Sequence, residues 1–412
     1  MNATVQEGYP RPLAEAKGRE APLGFVDILL WSTLVFSTLG FCVYHYSLLN
    51  GIIPPILGGY AAAASVLVLP IVLPIYLHRA STKPEFLTIA DLLFAMFTVM
   101  VVIVALISRS NPGLEDVANF QLSIVPQFVA WFALFRCVRL GATPLRIPSV
   151  IAFGLMTIIL LIRPSLYLAS VSDIATMFRD DVADYQAYAF VYLVMFIYIL
   201  GIVGRSPLRY FIYAAGLVAL FVNGARSELI AAPLVIVTFE IFFAVRFPAI
   251  LATVIIGGLL SFGPVFNLLA NLFPENRFIS LLTNVGSDQS YSERSYFFER
   301  ALSVISESPF WGNYGAYPLG EYAHNIVSVW VDFGLIGFLL FAFILFLGLA
   351  NSLKAYRENR DLHLSAMLAA TALCMVMLSI TAKYWTYQMF PILLALQARL
   401  IYWRNSAKGR IS

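Results

Sequence analysis

Residues 321–340 read "EYAHNIVSVWVDFGLIGFLL". An apolar run long enough to cross a bilayer opens here on the His324-Asn325 pair and carries Asp332 in its middle. At 1.5 Å per residue, about 20 residues of helix match a hydrocarbon core of about 30 Å. The length therefore dictates a membrane helix, while the three polar residues call for a separate explanation.

Runs of this kind recur along nearly the whole chain. Of 412 residues, 60% are hydrophobic and only 12% charged, with a mean hydropathy of +0.82. A water-soluble chain of this length could not hide so much apolar surface, so lipid is the solvent for most of it. A transmembrane barrel would instead show alternating segments of about 10 residues, and none is present. The fold expected is all-α, a polytopic membrane protein of about 12 transmembrane helices forming one integral membrane domain over residues 1–412. The spans fall near 24–45, 54–77, 86–107, 120–136, 147–169, 185–204, 208–224, 228–246, 248–271, 322–350, 363–381 and 384–402.

With a cytoplasmic N-terminus, the inner connections hold 18 of the 26 basic residues. The other eight are Arg109, Arg163, Arg179, Arg226, Arg277, Arg294, Arg300 and Lys383. The positive-inside rule then places both termini in the cytoplasm. The first 20 or so residues lack the short apolar core and cleavage site of a secretory signal, so the first run is expected to be a retained helix. Most connections are short, but residues 272–321 form one large outer loop between helices 9 and 10. Within it Ser290-x-x-Glu293 resembles a capping box, Phe297, Phe298, Ala301, Leu302 and Ile305 follow at helical spacing, and Pro309 ends the run. A short amphipathic helix is expected there.

Basic residues on the outer side oppose the topogenic bias and need another reason to be present. Guanidinium stays charged and grips phosphate oxygens bidentately. Arg226, in the turn "NGARSELIAAP", and Arg294, in the loop helix "YSERSYFFER", would together suit a pyrophosphate. Arginines at an interface also serve by snorkelling to headgroups, and residue type alone leaves both readings open. Arg163 lies within the fifth span, where a charge costs a few kcal/mol unless it faces protein or water. Of four histidines, His45, His78 and His363 share no pattern. His324 falls on the same outer face as Arg226 and Arg294, at a helix N-terminus that disfavours imidazolium, so its neutral ring could accept a proton or simply cap the helix. Asp332 lies about 80° further round that helix. It reads as a packing residue hydrogen-bonded to a neighbouring helix, with Gly334 and Gly337 permitting close helix approach.

Other chemistries find less support. Cys42, Cys137 and Cys374 sit inside apolar runs without metal or disulfide spacing. Asp180, Asp181 and Asp184 have the spacing that membrane prenyltransferases use for magnesium pyrophosphate, but the second aspartate-rich motif is missing. There is no P-loop, dinucleotide motif or cytoplasmic Asp-x-Asp cluster, which argues against an ATPase or a nucleotide-sugar transferase. A polysaccharide transporter would show broken helices and midplane charges in two related halves, and no repeat is visible.

Taken together, "NGARSE", "SERSYFFERALSVISESPFWGNYG" and "AHNIVSVWVDFGLIGFLL" resemble the O-antigen ligase and O-antigen polymerase superfamily, bacterial inner-membrane glycosyltransferases of the GT-C type. That family has an arginine in a short periplasmic turn, then a large periplasmic loop that opens on an arginine and a short helix. The loop ends in His-Asn before an apolar helix with G-x-x-G, here Gly334 and Gly337. The match covers about 120 residues. The stretch from Gly315 to His324 is shorter than in many members. The resemblance implies metal-independent, inverting transfer of a glycan from undecaprenyl pyrophosphate to a sugar hydroxyl in the periplasm. No cofactor is implied. Arg226 and Arg294 would bind the pyrophosphate and stabilise its leaving charge, and His324 would be the general base. Arg163, Asn325, Arg300 and Glu293 would complete the substrate-binding set. The implied partners are an undecaprenyl-pyrophosphate-linked oligosaccharide donor, a glycan or lipid A core acceptor, membrane lipids and a chain-length regulator; no nucleic acid partner is expected. The short approach to His324 offers little surface for a large core oligosaccharide, which favours a polymerase over a ligase.

Overall fold

The computed structural model describes residues 23–54, 60–140, 143–162, 185–243, 289–317, 325–358, 362–381 and 385–408, with Ala323 and scattered positions between 263 and 279. Among the described residues the chain is helical throughout and contains no strand. The helices are α1 (Phe25–Leu49), α2 (Tyr60–Thr82), α3 (Ile89–Arg109), α4 (Glu115–Cys137), α5 (Thr143–Ile162), α6 (Tyr185–Val203), α7 (Leu208–Asn223), α8 (Arg226–Phe243), α9 (Gln289–Glu307), α10 (Val327–Arg357), α11 (Leu362–Thr381) and α12 (Met389–Lys408). Eight of these, α1 to α6 with α10 and α11, are long and apolar enough to cross a membrane. The protein is a polytopic helical membrane protein. The expected span at 248–271 lies mostly outside the described residues.

The helices pack as a bundle around α6, which is almost entirely buried. Its stripe of Tyr188, Tyr192, Phe196 and Tyr198 is fully enclosed, with Tyr192 stacked on Phe153 of α5 at 4.9 Å. Outer helices such as α2 and α3 bury one stripe and leave Val66, Leu67, Val99 and Ile103 exposed, as helices facing lipid do.

The two ends of the bundle differ. One is closed by basic side chains. Arg136 pairs with Asp91 at 3.2 Å and donates to the Phe86 carbonyl, while Asp91 also completes the capping box of α3 by accepting from the Thr88 N–H at 2.8 Å. Nearby, Arg79 donates to the Cys137 carbonyl at 2.8 Å, Arg209 pairs with Glu240 at 2.6 Å, Arg139 with Asp27 at 3.6 Å, and Arg399 donates to the Phe135 carbonyl at 3.1 Å. All of these arginines belong to the group expected at the cytoplasmic side. The opposite end carries the α7–α8 turn, α9, the start of α10 and the α11–α12 turn, with Arg226, Arg294 and Arg300. Helices α8 and α12 run between the two: Glu228 lies at the loop end and Glu240 at the basic end, and Gln388 and Arg399 are placed likewise.

Candidate functional site

Local sequence fixes where Arg226 stands. Helix α7 stops at Asn223 because Gly224 adopts φ +75° and its N–H turns back to the Leu220 and Phe221 carbonyls at 3.2 and 3.1 Å. Two residues later Arg226 opens α8. Its first turn carries the positive end of the helix dipole, a setting that favours an anion. Glu228, two residues on, is fully buried and accepts from the Ser227 hydroxyl at 2.7 Å and the Tyr387 hydroxyl at 3.3 Å.

The loop helix forms where expected, as α9. It begins at Gln289, so Ser290 lies inside the first turn rather than at the cap. Pro309 disfavours a helical conformation in the residue before it, and the helix ends at Glu307. The chain then makes a turn, 309–315, that wedges into α10. Helix α10 is broken at Gly334, whose φ of 63° and ψ of −169° are non-helical. The break frees the Val331 carbonyl and the Leu335 N–H, and the turn takes both. Asn313 N–H donates to Val331 O at 2.7 Å and Leu335 N–H donates to Pro309 O at 3.0 Å; Trp330 Nε1 adds a bond to Pro309 O at 2.7 Å. A Cβ at Gly334 would collide with the Phe310 carbonyl. The expected role of Gly334 in helix–helix approach is thus corrected: it admits loop backbone into a membrane helix.

This docking sets both arginines at the loop end of the bundle. Helices α8 and α11 pack antiparallel, with Cys374 Sγ 3.8 Å from the Ala231 carbonyl. Arg226 precedes Ala231 by five residues, about 7.5 Å toward the loop end. Ser379 lies the same distance beyond Cys374. Arg294 Nη1 contacts the Thr381 carbonyl at 3.4 Å, one further step of about 3 Å. Arg226 and Arg294 therefore reach the same end of the bundle at nearly the same depth, and among the described residues no carboxylate pairs with Arg294.

The remaining expected residues divide. Arg300 donates to the Ala316 carbonyl at 2.6 Å and lies 5.2 Å from the Tyr317 ring centre, contacts that tie the loop to its own helix. Asn325 Oδ1 accepts the Val327 N–H at 2.9 Å and its carbonyl accepts the Ser328 hydroxyl at 2.8 Å, so it caps the start of α10. Asp332, as expected, has a packing partner: Trp385 Nε1 donates to it at 3.0 Å from the α11–α12 turn. Glu293 is on α9, but its side chain lies outside the described residues, as do His324, Arg163 and the Asp180 triplet. Ala323, beside His324, is buried with Ala301, Tyr317 and Val331.

Below the arginines lies a polar floor that sequence reasoning missed. Gln388 donates to Gln127 at 2.9 Å, and Gln127 is roughly 18 Å along α4 from its first residue. The turn carrying Trp385, Tyr387 and Gln388 thus dips well into the bundle. Tyr314 ties the loop to the start of α4, donating to the Val117 carbonyl at 3.5 Å; burial, and then the Asp332 charge, push its phenol above the ordinary value. Glu228 could have been flagged as an intramembrane carboxylate. The Gln127–Gln388 pair, 261 residues apart, left no sequence signal. Among the described residues no group of three or more His, Cys, Asp or Glu could hold a metal ion.

No protein-family model matches the chain, and no curated protein matches it. The resemblance to the O-antigen ligase and polymerase superfamily therefore rests on the residues themselves.

Proposed function

We propose that this chain is an inverting glycosyltransferase of about twelve spans, both termini cytoplasmic, whose loop end faces the periplasm. It moves a glycan from undecaprenyl pyrophosphate to a sugar hydroxyl, as an O-antigen or exopolysaccharide polymerase does. The observation that carries this reading is that Arg226, at the N-terminus of α8, and Arg294, on the docked loop helix, stand at the same end of the bundle at nearly the same depth. Two guanidinium groups at one depth, beside the positive end of a helix dipole, suit a pyrophosphate and the charge that builds on it as it leaves. His324 follows Ala323, which packs against the same loop helix, and takes the proton of the acceptor hydroxyl as that oxygen attacks the anomeric carbon.

The break in α10 favours a second reading, a transporter of polysaccharide intermediates, since broken helices commonly expose backbone groups to a substrate. Here the 309–315 turn occupies those groups, which weighs against it. Incubating purified protein with undecaprenyl-pyrophosphate oligosaccharide, with and without lipid A core, separates the readings on a gel. A ladder without core supports the polymerase, and product only with core supports a ligase. No product under either condition sinks the enzyme.

A further inference from the structure

Past its break, α10 turns one stripe outward. Ile336, Leu339, Phe343 and Phe346 recur at intervals of three and four and are all exposed, the pattern of a helix side that meets lipid. Before the break the stripe stops. Every residue from Val327 to Gly334 is buried or half-buried, since the bundle covers one side of this segment and the 309–315 turn and α9 cover another. The turn thus takes over the outward face of α10, and its tip is Phe310 and Trp311, 63% and 81% exposed. Trp330 joins the two surfaces: it stacks on Phe338 at 4.9 Å, and its Nε1 donates to the carbonyl of Pro309, the residue before the tip.

Two rulers set the depth of this tip. Lys354 stands in the last turn of α10, and the helix from Gly334 to Lys354 is about 30 Å long, one hydrocarbon thickness. On the far side of the turn, Tyr314 packs with Ala105 of α3, about 6 Å short of Arg109 at the end of that helix. Both put the turn at the boundary between hydrocarbon and headgroups, where tryptophan is favoured. The loop helix fits the same level. Phe298 and Leu302, one turn apart on α9, are exposed, while Glu299, Ser303 and Ser306 are exposed about 100° further round. A helix with an apolar flank beside a polar one suits the plane of a membrane surface.

We infer that Phe310, Trp311 and the Phe298–Leu302 flank of α9 are seated in the lipid leaflet at the loop end, so that the bilayer as well as α10 holds the loop in place. A protein partner could also cover aromatic side chains, but the tip continues a stripe that runs at hydrocarbon depth from Ile336 to Phe346, which favours lipid. The inference goes beyond the glycosyl-transfer reading and does not depend on it.

The test uses full-length protein in phosphatidylcholine nanodiscs. Cys42, Cys137 and Cys374 are buried, so a spin label can be directed to Phe310→Cys or Trp311→Cys, with Leu339→Cys as the lipid reference and Ser303→Cys as the water reference. Collisions with oxygen, which concentrates in lipid, are compared with those of a nickel chelate confined to water. The oxygen-to-chelate ratio at 310 and 311 should exceed that of Ser303→Cys by about fivefold or more and approach that of Leu339→Cys, because the hydrocarbon excludes water. A ratio equal to that of Ser303→Cys would mean that the tip stands in water, and little access to either reagent would mean that protein covers it; either result overturns the inference. A variant is scored only if it keeps the wild-type elution and melting temperature. If neither folds, the wild type decides, in nanodiscs carrying a phospholipid with a diazirine at the top of its acyl chain: light-induced labels on 310–311 support the seat, and labels confined to the spanning helices overturn it.

Discussion

Replacing Gly334 by alanine tests the docking of the loop on which the site depends. Gly334 has φ 63° and ψ −169°, a region essentially reserved for glycine, and a side chain held there costs about 1–3 kcal/mol. The added Cβ would also push the Phe310 carbonyl away. That displaces the bonds from Leu335 N–H and Trp330 Nε1 to Pro309 and from Asn313 N–H to Val331, at about 1 kcal/mol each. The sum is about 4–6 kcal/mol against the docked turn. Cleavage by chymotrypsin at the exposed Phe310–Trp311 pair tracks the undocked population and should accelerate more than tenfold. Gly154→Ala is the control, since a Cβ there meets nothing within 4 Å. Wild-type cleavage and melting in Gly334→Ala would refute the wedge.

Two further substitutions probe what holds the bundle. Trp385→Phe removes the indole N–H that donates to buried Asp332 and should lower stability by about 1.5–3 kcal/mol, read as a fall in melting temperature in detergent. Arg136→Met leaves the Asp91 carboxylate buried beside it and should cost about 3–5 kcal/mol; adding Asp91→Asn to that variant should recover part of the loss, and no recovery would mean the pair is not coupled.

The helices were legible because hydropathy and length decide them: the run at 208–224 is α7 to within one residue, and the run at 322–350 is α10, which starts five residues later and ends seven residues later. Pro309 marked the end of the loop helix for a local steric reason. The break at Gly334 was not legible. A glycine in an apolar run reads as a small packing residue, and the backbone that enters the break comes from a turn some twenty residues upstream. Site residues divide in the same way. Arg226 and Asp332 announce themselves because lipid penalises charge. The partners of Arg300 and Asn325 depend on how the loop closes, and Gln127 meets Gln388 only through tertiary packing.

The central claim, that Arg226 and Arg294 share one pyrophosphate, is tested most directly by binding. Affinity for undecaprenyl pyrophosphate is measured in nanodiscs for the wild type, Arg226→Ala, Arg294→Ala and the double variant. A charge-assisted hydrogen bond contributes about 1.5–3 kcal/mol, so each single variant should weaken binding by about 10- to 100-fold. The double variant should lose less than the product of the two, because neighbouring sites on one ligand are not independent. Wild-type affinity in both single variants, with the protein folded, would contradict the account.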